Sequence, residues 1–269
     1  MLSDFVIVIH DSSHRVTLQL PGIYPITDRR LSGLSHREQV ARLIDGGATF
    51  IQLREKEGAP RNFFDDAVEA LRLTRSANAK LIINDRVDIA LAINADGVHL
   101  GQTDMPVAAA RRLLGINAII GFSTHNLEQV KAALNLPIDY LAFGPIFPTT
   151  SKANPDPVAG VAELTEVKSL AGSPPLVAIG GIDSTNLWQV FAAGADSAAV
   201  ICAVLKDPVQ ISQNLRNLQE SVSHNTRENI FCLRFSRSIR HNVCDASRIA
   251  ARTLTSSIHN SLSHEIAAK

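Results

Sequence analysis

From Pro21 to about Gln219, short aliphatic runs alternate with stretches whose apolar residues recur every three or four positions. The runs are Gly22–Asp28, Phe50–Lys56, Lys80–Arg86, Gly97–Gln102, Ala118–Thr124, Tyr140–Phe147, Pro175–Ile182 and Ala195–Val204. They read as strands buried on both faces, which show continuous apolar runs instead of strict alternation. Between them, Ser35–Asp45, Arg61–Ser76, Val107–Leu114, Leu127–Leu134, Val161–Leu170 and Ser184–Ala193 carry the period of an amphipathic helix, and Val87–Asn94 fits a compact crossover. Punctuation agrees with this partition. Ser35-His36-Arg37-Glu38 has capping-box form, and Asp183-Ser184-Thr185 offers N-cap oxygens after a strand. Gly46-Gly47 and Gly194 stop helices where the backbone is expected to turn left-handed.

Strand-helix alternation predicts a parallel sheet, and eight units of roughly 25 residues predict a closed TIM (β/α)8 barrel. An open, doubly wound sheet is the alternative that a repeat count leaves standing. The expected organisation is a single domain with two extensions. Residues 1–20 form an N-terminal extension, a short strand or hairpin over the barrel floor; 21–220 form the catalytic barrel; 221–269 form a tail.

Composition narrows the picture. The hydrophobic share is 45% and the aromatic share only 5%, so the core is built from Ala, Val, Ile and Leu. The 26 basic and 26 acidic residues cancel, which removes any global electrostatic case for nucleic acid or an anionic membrane. No apolar run approaches the ~20 residues that span a bilayer. Asp4 precedes the apolar Phe5–Ile9 and no basic segment leads it, unlike a secretory signal. Cys202, Cys232 and Cys244 form no CxxC pair, which suits a reduced, cytoplasmic protein. A homo-oligomer is compatible with all of this. The tail stands apart: residues 221–269 lack Gly and Pro, and hold nine Ser, four His and seven basic against three acidic residues. It is expected to be poorly ordered, a basic docking helix being the lesser alternative.

Polar residues gather where the strands end, the face on which barrels carry their active sites. Alternation in the second strand points Gln52, Arg54 and Lys56 one way. The third strand ends in Asn84-Asp85-Arg86, the fourth leads to Gln102-Thr103-Asp104, the fifth ends Ser123-Thr124-His125, and the sixth runs into Thr149-Thr150-Ser151-Lys152. Thr124, Asn126, Glu55 and Arg86 read as caps and loop ties. The set as a whole does not, because unpaired buried charges would cost several kcal/mol each. Asp85 and Asp104 follow adjacent strands and are placed to share one hard cation such as magnesium. Arg54, Lys56 and Lys152 supply charge suited to a diphosphate. Gly180-Gly181 allows close approach of a ligand to the backbone near the loops that usually bind a monophosphate. Two phosphate regions with a metal between them indicate group transfer.

Taken together, Tyr24–Asp28, Gln52–Lys56, Asn84-Asp85-Arg86, Gly97–Gln102 with Asp104, Gly121–His125, Gly144–Thr149 with Lys152, and Ala178–Ile182 resemble thiamine phosphate synthases, in the same order and spacing. The resemblance implies condensation of a pyrimidine diphosphate with a thiazole phosphate, with magnesium and release of pyrophosphate. It also implies roles. Gln52, Arg54, Lys56 and Asn84 would hold the pyrimidine diphosphate, and Asp85 and Asp104 the metal. Ser123 and Lys152 would stabilise the leaving pyrophosphate. Thr149, Thr150, Ser151, Gly181, Ile201 and Cys202 would receive the thiazole phosphate. Two positions depart from the family pattern: Cys202 stands where a serine is usual, and the loop at Lys152 is less basic than in some members. His125 is expected to be a loop residue. A thiazole tautomerase, for which His125 would serve as acid or base, and a silent barrel that binds thiamine precursors are the rival readings.

Overall fold

The computed structural model describes residues 18–149 and 156–223. The chain divides into two units, Met1–Ser221 and Val222–Lys269, and the barrel lies in the first. The expected N-terminal strand or hairpin, residues 150–155, and the expected tail beyond 223 lie outside the described residues.

Eight parallel strands close on themselves: β1 (Ile23–Thr27), β2 (Phe50–Leu53), β3 (Lys80–Asn84), β4 (Gly97–Leu100), β5 (Ile119–Thr124), β6 (Tyr140–Phe143), β7 (Leu176–Ile179) and β8 (Ser197–Val200). β1 pairs with both β2 and β8, so the open-sheet alternative does not hold. The helices between strands are α1 (Arg29–Ser32), α2 (His36–Asp45), α3 (Pro60–Ser76), α4 (Val87–Ile93), α5 (Val107–Leu114), α6 (Leu127–Ala133), α7 (Gly160–Ala171) and α8 (Leu187–Ala192); after β8 come α9 (Cys202–Leu205) and a last helix that begins at 211.

The strands are shorter than the apolar runs predict. Arg54–Lys56, Asp85-Arg86 and Gly101-Gln102 leave the ladder and build loops at the rim. Ser35 and Glu38 form the expected capping box. The stop at Gly46-Gly47 differs in detail: Gly46 stays right-handed, and Gly47 takes φ 87°. The cap expected from Asp183–Thr185 is displaced. Asp183 accepts from the Thr185 backbone and hydroxyl at 2.8 and 2.6 Å, closing a turn, and α8 starts only at Leu187.

Inside the barrel, Tyr24, Ile26, Phe50, Ile82, Tyr140, Ala142, Val177 and Ala199 form one cluster. Gly121 makes room for it, because a Cβ there would lie 2.0 Å from Tyr140 Cζ. At the opposite end from the polar rim, one device recurs three times. Asp96, Asp139 and Asp196 each precede a strand and accept, through Oδ2, the backbone N–H of Leu81, Ile120 and Leu176 on the preceding strand, at 2.9, 2.7 and 2.8 Å. Each also donates its own N–H back to the same residue's carbonyl. Lys80, Arg111 and Lys168 pair with these carboxylates in turn. The N-terminal rim is thus built for stability, which leaves the C-terminal rim for chemistry.

Candidate active site

A cleft of about 380 Å³ opens at the C-terminal ends of the strands. Its floor is polar and continuous. Gln52 Nε2 donates to the Tyr24 hydroxyl at 2.8 Å, the Tyr24 and Tyr140 hydroxyls lie 2.9 Å apart, and His99 spans from Tyr140 (Nδ1, 2.9 Å) to Ser123 Oγ (Nε2, 2.8 Å). Burial pushes both phenols up, so they stay neutral as hydrogen-bonding groups. Asn84 completes the floor, and its Nδ2 is buried with no partner. An orphaned donor of this kind costs about 1–3 kcal/mol and is relieved when a ligand supplies the acceptor.

Charge collects on one side of the rim. Arg54 donates to Asp28 Oδ2 at 2.7 Å, and Lys56 pairs with Asp85. Asp85 adopts φ 61°, a conformation disfavoured for a residue with a Cβ, and its N–H is tied to His99 O at 2.9 Å. Asp104 Oδ2 accepts from Gly101 N–H at 2.6 Å. Burial, and then the neighbouring Asp85 carboxylate, push the Asp104 carboxyl up. Two carboxylates held together at such a cost fit a hard cation, which magnesium sites commonly bind through one or two carboxylates plus substrate phosphates. Among the described residues, no cluster of three acidic, His or Cys groups would hold a metal without such help.

A second hollow of about 300 Å³ adjoins the first and shares Thr149, Gly180 and Ile201 with it. Gly180 and Gly181 take φ 103° and 63°, and a Cβ on Gly181 would sit 2.3 Å from Pro148 O. Glycine therefore lets the end of β7 pass beneath the loop after β6. Gly181 and Cys202 line this hollow together with Lys206.

Of the residues singled out from sequence, Gln52, Arg54, Lys56, Asn84, Asp85, Asp104, Ser123, Thr149 and Ile201 meet at the main cleft. Gly181 and Cys202 line only the adjoining hollow, and Thr150, Ser151 and Lys152 lie outside the described residues. Arg54 and Lys56 are not free cations, since each already holds a carboxylate. The expected loop ties hold: Thr124 donates to Ala142 O, Asn126 caps α6, Glu55 accepts from Glu57 and Gly58 N–H, and Arg86 pairs with Asp88. His125 places Nδ1 2.6 Å from Gly144 O and ties a loop as well. Sequence reading quoted Tyr24 and His99 within motifs but gave neither them nor Tyr140 a role. The signal was present at His99, a lone titratable residue inside the aliphatic Gly97–Leu100.

A closed barrel with carboxylates, cations and a glycine-lined hollow at one rim defines an enzyme acting on phosphorylated substrates. The thiamine monophosphate synthase family model matches residues 23–204. Thiamine-phosphate synthases of Chloroflexus aurantiacus and Persephonella marina are 47% and 42% identical to this chain, over 73% and 74% of its length and 91% and 96% of theirs. Thiamine phosphate pyrophosphorylase from Pyrococcus furiosus superposes with a TM-score of 0.66 at 39% identity, covering 74% of this chain and 96% of that one. The chain belongs to the thiamine monophosphate synthase family.

Proposed function

We propose that residues 21–220 form a catalytic domain that makes thiamine phosphate. The reaction joins 4-amino-2-methyl-5-(diphosphooxymethyl)pyrimidine to thiazole phosphate and releases pyrophosphate. The observation that carries this reading is the convergence of Gln52, Arg54, Lys56, Asn84, Asp85, Asp104 and Ser123 on one cleft.

The carbon–oxygen bond at the pyrimidine methylene breaks with its electron pair leaving on pyrophosphate, and the thiazole nitrogen lone pair then forms the carbon–nitrogen bond. Negative charge grows on the leaving group, so fixed cations act most strongly in the transition state. Arg54 and Lys56 turn from Asp28 and Asp85 toward the diphosphate, and Lys152 is assigned to the same group. Asn84 Nδ2 and Gln52 orient the pyrimidine. His99, donating through Nε2, leaves the Ser123 hydroxyl proton for a pyrophosphate oxygen. Thr149, Thr150 and Ser151, with Gly181, Ile201 and Cys202, receive the thiazole phosphate. Asp85 and Asp104 would hold magnesium, which when bound would add positive charge beside the pyrophosphate as it leaves. No residue need act as a general base, because the attacking nitrogen carries a lone pair. The substrates are small molecules of the cytoplasm, and neither nucleic acid nor a membrane is called for. No helix among the described residues is long and apolar enough to cross a membrane.

The test is formation of thiamine phosphate and pyrophosphate, one for one, from both substrates and magnesium. Turnover of a thiazole carboxylate phosphate without the pyrimidine would replace this reading with the tautomerase.

A further inference from the structure

His36 opens α2 on the outside of the barrel, yet it is completely buried; its backbone N–H donates to Asp66 Oδ2 at 3.1 Å, and its ring faces two further polar groups. Nδ1 lies 2.7 Å from Thr27 Oγ1, at the end of β1. Nε2 lies 3.4 Å from Glu55 Oε2, in the loop after β2, close enough for charge to act but without a hydrogen bond. Phe63 packs against the ring at 5.3 Å. Burial lowers the basicity of the ring, so it is neutral at pH 7. A neutral imidazole that faces a carboxylate through Nε2 carries its proton there. Nδ1 therefore accepts from the Thr27 hydroxyl, which itself accepts the Arg54 backbone N–H at 3.3 Å. A directed hydrogen-bond chain runs from Arg54 N–H through Thr27 to His36, whose Nε2 faces the Glu55 carboxylate.

The chain ends on the segment that carries two of the proposed diphosphate ligands. Arg54 is held at its backbone by Thr27 and at its guanidinium by Asp28, whose N–H donates to Gln39 on α2 at 3.0 Å. Glu55 gathers the Glu57 and Gly58 N–H groups on Oε1 at 3.0 Å each. Gly58 presses on that carboxylate so closely that a Cβ would lie 2.8 Å from Glu55 Cδ. Lys56 thus hangs between two anchored neighbours, although its own side chain is 46% exposed. A residue needed only for packing beside Phe63 would be apolar.

We infer that His36, through Thr27 and Glu55, is a positioning residue that sets where Arg54 and Lys56 meet the pyrimidine diphosphate. The inference rests on the reading that Arg54 and Lys56 hold that group. It separates the two imidazole nitrogens by function: Nδ1 fixes Arg54 through Thr27, and Nε2, facing the Glu55 carboxylate at 3.4 Å, biases the turn beneath Lys56.

The test uses the full-length protein and the variants His36→Asn, His36→Gln, Glu55→Gln and Arg54→Ala. Asn keeps an acceptor near Nδ1 and loses the reach to Glu55, whereas Gln keeps a donor near Nε2. Steady-state KM is measured for each substrate separately, with binding of magnesium pyrophosphate by calorimetry and thermal unfolding on the same samples. His36→Asn and Glu55→Gln are expected to raise KM for the pyrimidine diphosphate and weaken pyrophosphate binding by about tenfold, the scale of a small misplacement of binding groups. KM for thiazole phosphate stays within twofold, and His36→Gln recovers part of the loss. Amide exchange at Glu57 and Gly58 should speed up in His36→Asn and Glu55→Gln. If all His36 variants lower the melting temperature alike while both KM values and pyrophosphate binding hold, the role is structural and the inference fails. Should Arg54→Ala bind pyrophosphate as tightly as the parent, the reading of the diphosphate site fails and takes this inference with it. If Arg54→Ala weakens binding but Glu55→Gln, folded, does not, only the positioning inference is overturned.

Discussion

Tyr140→Phe removes one oxygen from the middle of the cleft floor and little else. The ring keeps its contacts with Tyr24 (centroids 6.0 Å), Phe50 (6.2 Å) and His99 (5.5 Å), and Gly121 still accommodates it. What is lost is the junction between Tyr24 and His99, two hydrogen bonds of 2.9 Å at a fully buried site. Each such bond contributes about 0.5–1.5 kcal/mol net, and a buried group left unpaired costs about 1–3 kcal/mol, so the sum is about 2 kcal/mol. For a unit of this size that lowers the melting temperature by about 4–8 °C. His99, released at Nδ1, also orients Ser123 less firmly, and kcat should fall about tenfold, equivalent to ~1.4 kcal/mol. Thermal unfolding by circular dichroism and pyrophosphate release with both substrates read the two effects, while KM for thiazole phosphate should not change. A variant within 1 °C and twofold of the parent would refute the idea that the floor from Gln52 to Ser123 acts as one connected unit.

Gly181→Ala should raise KM for thiazole phosphate at least tenfold, because the new Cβ would collide with Pro148 O, and φ 63° is strained for alanine. Stability should fall on the acid side of neutrality. His36 is buried and its folded pKa lies below the ordinary 6.5, so its contribution is complete above that value and is lost as pH drops through it toward the folded pKa. Urea titrations between pH 5 and 8 should show this slope in the parent and a shallower one in His36→Gln. Magnesium should raise the melting temperature of the protein with pyrophosphate present, and chelation should reverse the gain. Asp104→Asn should abolish that response, yet be more stable than the metal-free parent at pH 7. The raised Asp104 pKa means that its ionised form costs stability at every pH above the folded pKa, and the amide removes that cost.

The fold was legible because eight aliphatic runs, each buried on both faces, leave few ways to close a parallel sheet. Strand ends were less so. A run such as Phe50–Lys56 continues as sequence after its hydrogen bonds have left the ladder, since Arg54 gives its N–H to Thr27. Motif residues at the rim announced themselves by polarity in an apolar context, whereas the partners that set their charge did not. Nothing local to Arg54 marks Asp28, 26 residues earlier, as its counterion. Tyr24, Tyr140 and His99 come from three strands and meet only when the barrel closes, so no window of sequence contains their network. The aspartates of the N-terminal rim illustrate the converse. Asn94-Ala95-Asp96, Pro137-Ile138-Asp139 and Gly194-Ala195-Asp196 repeat a pattern in front of strands, and the repeat is readable once its purpose is known.

Two aspartates at opposite ends of the barrel give the most direct test of the account. Asp104→Ala and Asp196→Ala are compared for pyrophosphate release with both substrates and for melting temperature. Asp104→Ala is expected to lose at least a hundredfold in kcat/KM, the scale of removing a charge-stabilising group from the transition state, with no fall in melting temperature. Asp196→Ala strands the buried Leu176 N–H and should cost about 1–3 kcal/mol of stability while kcat stays within twofold. Equal activity in Asp104→Ala and the parent, or collapse of activity in a folded Asp196→Ala, would contradict the assignment of chemistry to the C-terminal rim.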